Sequence, residues 1–180
     1  MNYIKETGIQ FDVGRLEADY REIHRLYTFN QINLRKRAQD DNKTAITYGA
    51  GSLMVENGGT VDDSDRSWTE YNPLFDGKYI IDVCKRVEDY AKEKHNVEVG
   101  RARIMLMQPK SCLTYHIDYD NVMRFHVPIV TSPNCFFINN EVIGRMDKAG
   151  ELYEFDNTVM HTAVNASRRV RAHLVICGYK

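Results

Sequence analysis

Ala102-Arg103-Ile104-Met105-Leu106-Met107, then Pro109-Lys110-Ser111, then Leu113-Thr114-Tyr115-His116-Ile117-Asp118-Tyr119 is the stretch whose texture decides the fold. It holds two runs of strand length, 102–107 and 113–119, with a turn signal between them and no room for a helix. The same texture continues to the end of the chain. Further runs at 123–130, 135–138, 151–155 and 169–179 are separated by Ser132-Pro133-Asn134, Asn139-Asn140 and Lys148-Ala149-Gly150. Strands that follow one another this closely are expected to pair mostly antiparallel, in a sandwich or barrel. Pro128 inside one run marks an edge, a bulge or a strand end, because proline donates nothing to a ladder.

Before Gly100 the period changes. Leu16, Tyr20, Ile23 and Tyr27 recur at three- and four-residue spacing and predict a helix over 14–29. Ile80, Val83, Cys84, Val87, Tyr90 and Ala91 predict a second over 79–94, with Lys92 and Lys94 at the negative end of its dipole. Both are expected to cover a sheet. Between them, 56–76 carries Gly58, Gly59 and four aspartates around Trp68 and Tyr71. It reads as a solvated surface loop, or as a lid over a site, with Trp68, Tyr71 and the acidic Asp62, Asp63 and Asp65 as gating candidates. No repeat or boundary divides the chain, so 1–180 reads as one domain, with 1–99 as a support region.

Composition narrows the class. The 180 residues hold 24 Lys+Arg against 25 Asp+Glu, a formal net charge of −1, which excludes a whole-surface nucleic-acid binder. Hydrophobic residues at 43% and charged residues at 27% describe a globule with enough apolar material for a core. Apolar runs such as 127–130 and 174–177 are far too short to span a membrane, and the first ten residues, with Lys5 and Glu6, lack an apolar signal segment. A cytoplasmic protein with neither membrane nor nucleic-acid partner is expected. Cys84, Cys112, Cys135 and Cys177 are scattered without zinc-type spacing, as reduced core thiols would be.

The chemistry collects around His116-Ile117-Asp118. In a strand, Thr114, His116 and Asp118 point one way and Tyr115, Ile117 and Tyr119 the other, so an imidazole and a carboxylate aim at one point while Tyr115 goes to the core. Alone, the pair reads equally as two polar residues bonded to their neighbours. His161, in Asn157-Thr158-Val159-Met160-His161, supplies a second imidazole. Two imidazoles and a carboxylate with other positions open form the ligand set of non-haem Fe(II) oxygenases; zinc accepts them too. Arg171 shares a strand face with His173 and Val175. An inward guanidinium calls for an anion, either a ligand carboxylate or a neighbouring Asp or Glu. Arg124 and His126 alternate with Phe125 and Val127 and face one side, toward the site or toward solvent.

Taken together, Arg103 to Asp118, Arg124-Phe125-His126-Val127-Pro128 and Gly150 to Asp156, leading to His161, Asn165 and Arg171, resemble the Fe(II)/2-oxoglutarate-dependent dioxygenases, and within them the aspartyl/asparaginyl β-hydroxylase-like family. The resemblance covers about 101–179 and implies a mainly β fold with flanking helices, a double-stranded β-helix or cupin-like jelly-roll barrel, whose catalytic core is 100–180. It implies that His116, Asp118 and His161 bind Fe(II), and that Arg171 pairs with the distal carboxylate of 2-oxoglutarate, assisted by Arg124 and His126. The reaction implied is hydroxylation of an unactivated C–H with O2 while 2-oxoglutarate is decarboxylated to succinate. The substrate would be an amino acid, as in members that hydroxylate free proline, or an aspartyl, asparaginyl or prolyl side chain in a peptide. Arg103, Thr114 and Trp68 are the candidate substrate contacts. The rival readings are a metal-binding cupin-type isomerase or hydrolase and a non-catalytic ligand-binding jelly roll.

Overall fold

The computed structural model describes residues 3–47, 65–118 and 122–180. In chain order the elements are β1 (Ile4–Gln10), α1 (Val13–Leu26), β2 (Gln31–Asn33), β3 (Arg35–Lys36), α2 (Asn42–Thr47), β4 (Glu70–Tyr71), α3 (Tyr79–His95), β5 (Glu98–Met107) and β6 (Ser111–Cys112). There follow β7 (Met123–Val130), β8 (Cys135–Asn139), β9 (Val142–Gly144), β10 (Glu151–Phe155), β11 (His161–Asn165) and β12 (Arg171–Tyr179). A six-stranded sheet runs β1-β10-β7-β12-β5-β2, a four-stranded sheet runs β6-β11-β8-β9, and β3 pairs with β4. Each of these pairs is antiparallel, as the short connections require.

Alternation along the strands builds two apolar layers. Ala102, Ile104 and Leu106 of β5, Phe125, Val127 and Ile129 of β7, and Ala172, Leu174 and Ile176 of β12 bury one face of the large sheet against Leu16 and Ile23 of α1 and Ile80, Val87 and Ala91 of α3. Fully burying each of the valine, leucine, isoleucine and phenylalanine side chains among them contributes about 1.5–3 kcal/mol. The opposite face packs on the small sheet through Met107, Tyr153 and Phe155 against Phe137 and Ala163. This is the expected jelly roll with helices on its outside. Its inner face is apolar at one end only: Arg103, His126, Arg171 and His173 are buried on the same alternation.

The helices start and stop for local reasons. Asp12 caps α1 by accepting from Arg15 N–H at 3.0 Å, and the helix ends at Leu26, three residues before the expected end, where Tyr27 turns extended. Asp19 of α1 accepts from Ile80 N–H at 2.9 Å and so caps α3, while Asn96 closes α3 in the left-handed region at φ 49°. Beside Pro128 the ladder between β7 and β12 shifts register, which is the bulge that proline demanded. Gly150, at φ +79°, lets the chain turn into β10; a Cβ there would meet Phe11 O at 2.6 Å.

Two expectations are corrected. The strand expected over 113–119 does not form over its described part, 113–118: β6 stops at Cys112, His116 makes one isolated bridge, Tyr115 is 41% exposed rather than core, and 119–121 lie outside the described residues. The segment 56–76 lies mostly at the surface over its described part, as expected, but it is not a merely solvated loop and its Trp68 is not a gating residue. Asp62, Asp63, Gly58 and Gly59 lie outside the described residues, but after them come two short 3-10 turns, and β4 pairs with β3. Trp68 and Phe75 are buried there, with the Arg101 guanidinium 4.4 Å from the Trp68 ring centroid. Trp68→Ala should therefore cost about 3–5 kcal/mol of unfolding free energy in a urea titration and leave the requirement for substrate unchanged.

Of the thiols, Cys84, Cys135 and Cys177 are buried and none is in a disulfide, whereas Cys112 is exposed rather than core. Among the described residues no helix is long and apolar enough to cross a membrane.

Candidate metal centre

The metal-facing atoms are assembled where the two sheets meet at the barrel mouth. Leu113 N–H donates to Ala163 O, and His116 and His161 exchange both main-chain hydrogen bonds, at 3.0 and 2.8 Å. Cys112 faces Val164 while His116 faces His161, so the stretch between Cys112 and His116 is one residue longer than the part of β11 it follows. That extra residue is why the expected regular strand breaks, and the ladder resumes at the ligand itself.

The imidazole nitrogens are assigned by their partners. His116 Nδ1 lies 2.6 Å from Thr114 O and His161 Nδ1 lies 2.9 Å from Val159 O. A carbonyl oxygen only accepts, so each Nδ1 carries the proton and each Nε2 keeps its lone pair. Both Nε2 atoms face Asp118: His116 Nε2 is 3.6 Å from Oδ1 and His161 Nε2 is 3.5 Å from Oδ2. All three ligand atoms lie within 4.8 Å of one another. Burial pulls the His161 pKa below the usual imidazole range, which keeps that lone pair available at neutral pH. Two neutral nitrogens and one carboxylate oxygen, each held by a second hydrogen bond, fit a divalent metal of the iron or zinc kind.

Asp118 is held from two sides. Arg124 Nη2 lies 2.9 Å from Oδ2. Asn157, fully buried, donates Nδ2–H to Oδ2 at 3.2 Å and accepts Asp118 N–H on its carbonyl at 3.3 Å. Sequence reading passed over Asn157 because Asp156-Asn157-Thr158 looks like turn chemistry, and Asp156 does hold Thr158 in such a turn. Asn157→Ala should lower Fe(II) affinity about 10- to 100-fold in an anaerobic metal titration, with the secondary structure intact.

Behind this cluster is a small cavity of about 30 Å³, whose walls include His116, His161, Arg124, His126, Arg171 and Phe137. Arg171 is buried, stacks 4.7 Å from the Phe137 ring centroid, and touches His173 and the Met107 sulfur. Among the described residues no carboxylate pairs with it, so the salt bridge that was its alternative is absent. Burial pulls its pKa down to about 10, which still leaves a full cation at neutral pH. His126 is buried between Phe137 and Phe155, and burial, with Arg171 and Arg124 nearby, holds its pKa well below the usual range. An open groove of about 770 Å³ leads to His116 from outside, between Phe29, Asn30 and Gln31 on one bank and Ser111, Cys112 and Thr114 on the other. Arg103 lies in this groove, and Thr114 is exposed there with its carbonyl on His116. Trp68 lies in the core, lining neither the cavity nor the groove.

A jelly roll with a two-histidine, one-carboxylate cluster at its mouth and a cationic cavity behind defines the class of metal-dependent oxygenases. The family model for aspartyl/asparaginyl β-hydroxylase matches residues 21–179, and the chain belongs to that family. Its members are Fe(II)/2-oxoglutarate-dependent hydroxylases that use O2, as the resemblance implied. No curated protein sequence matches the chain. Among solved structures, it is similar to the viral collagen prolyl hydroxylase vCPH of Paramecium bursaria Chlorella virus-1, with 9% identity over 98% of this chain and 95% of that one and a TM-score of 0.61. It is similar also to a Pseudomonas putida prolyl-4-hydroxylase, with 11% identity over 100% of this chain and 94% of that one and a TM-score of 0.56. At these identities the likeness is one of fold.

Proposed function

We propose that His116, Asp118 and His161 hold Fe(II), that Arg171 anchors the distal carboxylate of 2-oxoglutarate in the inner cavity, and that the hydroxylated residue enters through the outer groove. The observation that carries this reading is the buried Arg171 guanidinium, which has no carboxylate partner among the described residues and shares a cavity with both imidazoles. A cation so placed is stabilised by a dianion of suitable length. With Fe(II) bound, the centre supplies O2 activation and the decarboxylation of 2-oxoglutarate.

The protein's own contributions are positional and electrostatic. Thr114 O and Val159 O hold the two ligand rings in the tautomer that offers Nε2. Asn157 and Arg124 orient Asp118. Phe137 and Phe155 line the inner cavity, which excludes bulk water around the co-substrate. The groove is open along one side, with Phe29 and Leu113 exposed on its banks, and so suits a side chain presented by an extended peptide. Free amino acids are the second substrate class to test.

A screen of amino acids and short peptides for stimulated succinate formation, with Fe(II), 2-oxoglutarate and O2, tests the reaction and the substrate together. The expected result is stimulation by a small set of peptides and inhibition by the dicarboxylate mimic N-oxalylglycine. Failure to consume 2-oxoglutarate under any condition, with no effect of the mimic, would leave a cupin-type isomerase, hydrolase or binding protein instead.

A further inference from the structure

His173 has none of the roles set out above, yet it is 1% exposed and touches the residue on which co-substrate anchoring depends. We propose that His173 is a positioning residue: it braces the Arg171 guanidinium so that the remaining N–H groups of that side chain face the co-substrate carboxylate. This inference rests on the 2-oxoglutarate reading of the cavity.

The donor and acceptor inventory leads there. Arg171 Nε–H donates to His173 Nε2 at 3.1 Å, and Arg171 Nη2 lies 3.0 Å from Nδ1 of the same ring, so the imidazole lies along one edge of the guanidinium. A neutral imidazole has one acceptor nitrogen, and arginine only donates. Burial and the adjacent Arg171 charge keep His173 neutral. One ring nitrogen therefore accepts from the guanidinium edge, and the buried ring holds that edge in place. His126 Nδ1 lies 3.5 Å from His173 Nδ1, so His173 touches both cavity-lining residues. The Nε2 of His126 is buried without a hydrogen-bond partner among the described residues, beside a guanidinium that no carboxylate meets there.

Two variants and one spectrum test the proposal. His173→Phe keeps the ring volume and removes both nitrogens; His173→Gln restores an acceptor for Arg171. In anaerobic calorimetry on the Fe(II)-loaded protein, His173→Phe should bind 2-oxoglutarate about tenfold more weakly or worse, as the loss of a charge-assisted hydrogen bond predicts. In turnover, its KM for 2-oxoglutarate should rise more than kcat falls, Fe(II) affinity should be unchanged, and His173→Gln should recover part of the loss. Equal affinity for 2-oxoglutarate in wild type and His173→Phe overturns the inference while leaving the co-substrate reading intact. Absence of 2-oxoglutarate binding by wild type overturns the co-substrate reading itself. Should His173→Phe fail to fold, the imidazole ¹⁵N spectrum of the wild type decides. A neutral His173 with one nitrogen shifted by a hydrogen bond it accepts supports the bracing, and a doubly protonated ring, which has no acceptor for arginine, overturns it.

Discussion

Replacing either metal-facing imidazole, as His116→Ala or His161→Ala, should abolish substrate-stimulated conversion of 2-oxoglutarate to succinate. Each ring offers one Nε2 lone pair, and among the described residues no other group of three histidine, cysteine or carboxylate side chains gathers to replace it. The two variants should still fold, because the hydrogen bonds that join positions 116 and 161 run through the main chain and do not need the rings. Far-ultraviolet circular dichroism should match that of wild type while Fe(II) binding is lost. Undiminished succinate formation in both variants would remove the metal assignment.

Arg171→Met should separate stability from function. A charge-assisted contact to a carboxylate contributes about 1.5–3 kcal/mol, so the affinity for 2-oxoglutarate should fall roughly 10- to 150-fold. Stability should move the other way or not at all. The native guanidinium is buried without a carboxylate among the described residues, and a methionine of similar length would pack beside Met107 and the Phe137 ring, where replacing a buried charge by apolar volume is neutral or stabilising. The melting temperature without co-substrate should be equal or higher, and the increase in melting temperature on adding 2-oxoglutarate should shrink. A lowered melting temperature with unaltered dependence on 2-oxoglutarate would make Arg171 a structural residue.

The strands that could be read from sequence are those whose alternation serves a core. Met123–Val130 and Glu151–Phe155 have the bounds their apolar patterns predict. Strands without that signature were missed. In β1 only Ile4 is buried, because the strand forms an edge of the large sheet with polar residues along most of its length. β11 begins with the ligand His161 and is mostly polar, so its sequence carries little sign of a strand. Trp68 is not legible as a core residue because glycine and aspartate around it signal a surface, whereas the ring is buried with the Arg101 guanidinium packed over it. At the site, alternation puts Arg124 with His126 on one strand face and Arg171 with His173 on another, but that these faces turn inward comes from the family resemblance and not from the alternation. The bracing by His173 and Asn157 could not be read from sequence, since it depends on contacts between elements that spacing along a chain does not encode.

The reciprocal main-chain pairing of His116 with His161 bears on when the site comes into being. Zinc fingers gather their ligands only as the ion arrives, so chelation unfolds them. Here the two imidazoles are rungs of a ladder that the rest of the barrel already holds in register, and the entropy of bringing them together is lost during folding. The ion therefore meets a preassembled cradle. Loading and unloading of iron are then events in the life of a folded protein, and a chelator should silence the chain without unfolding it.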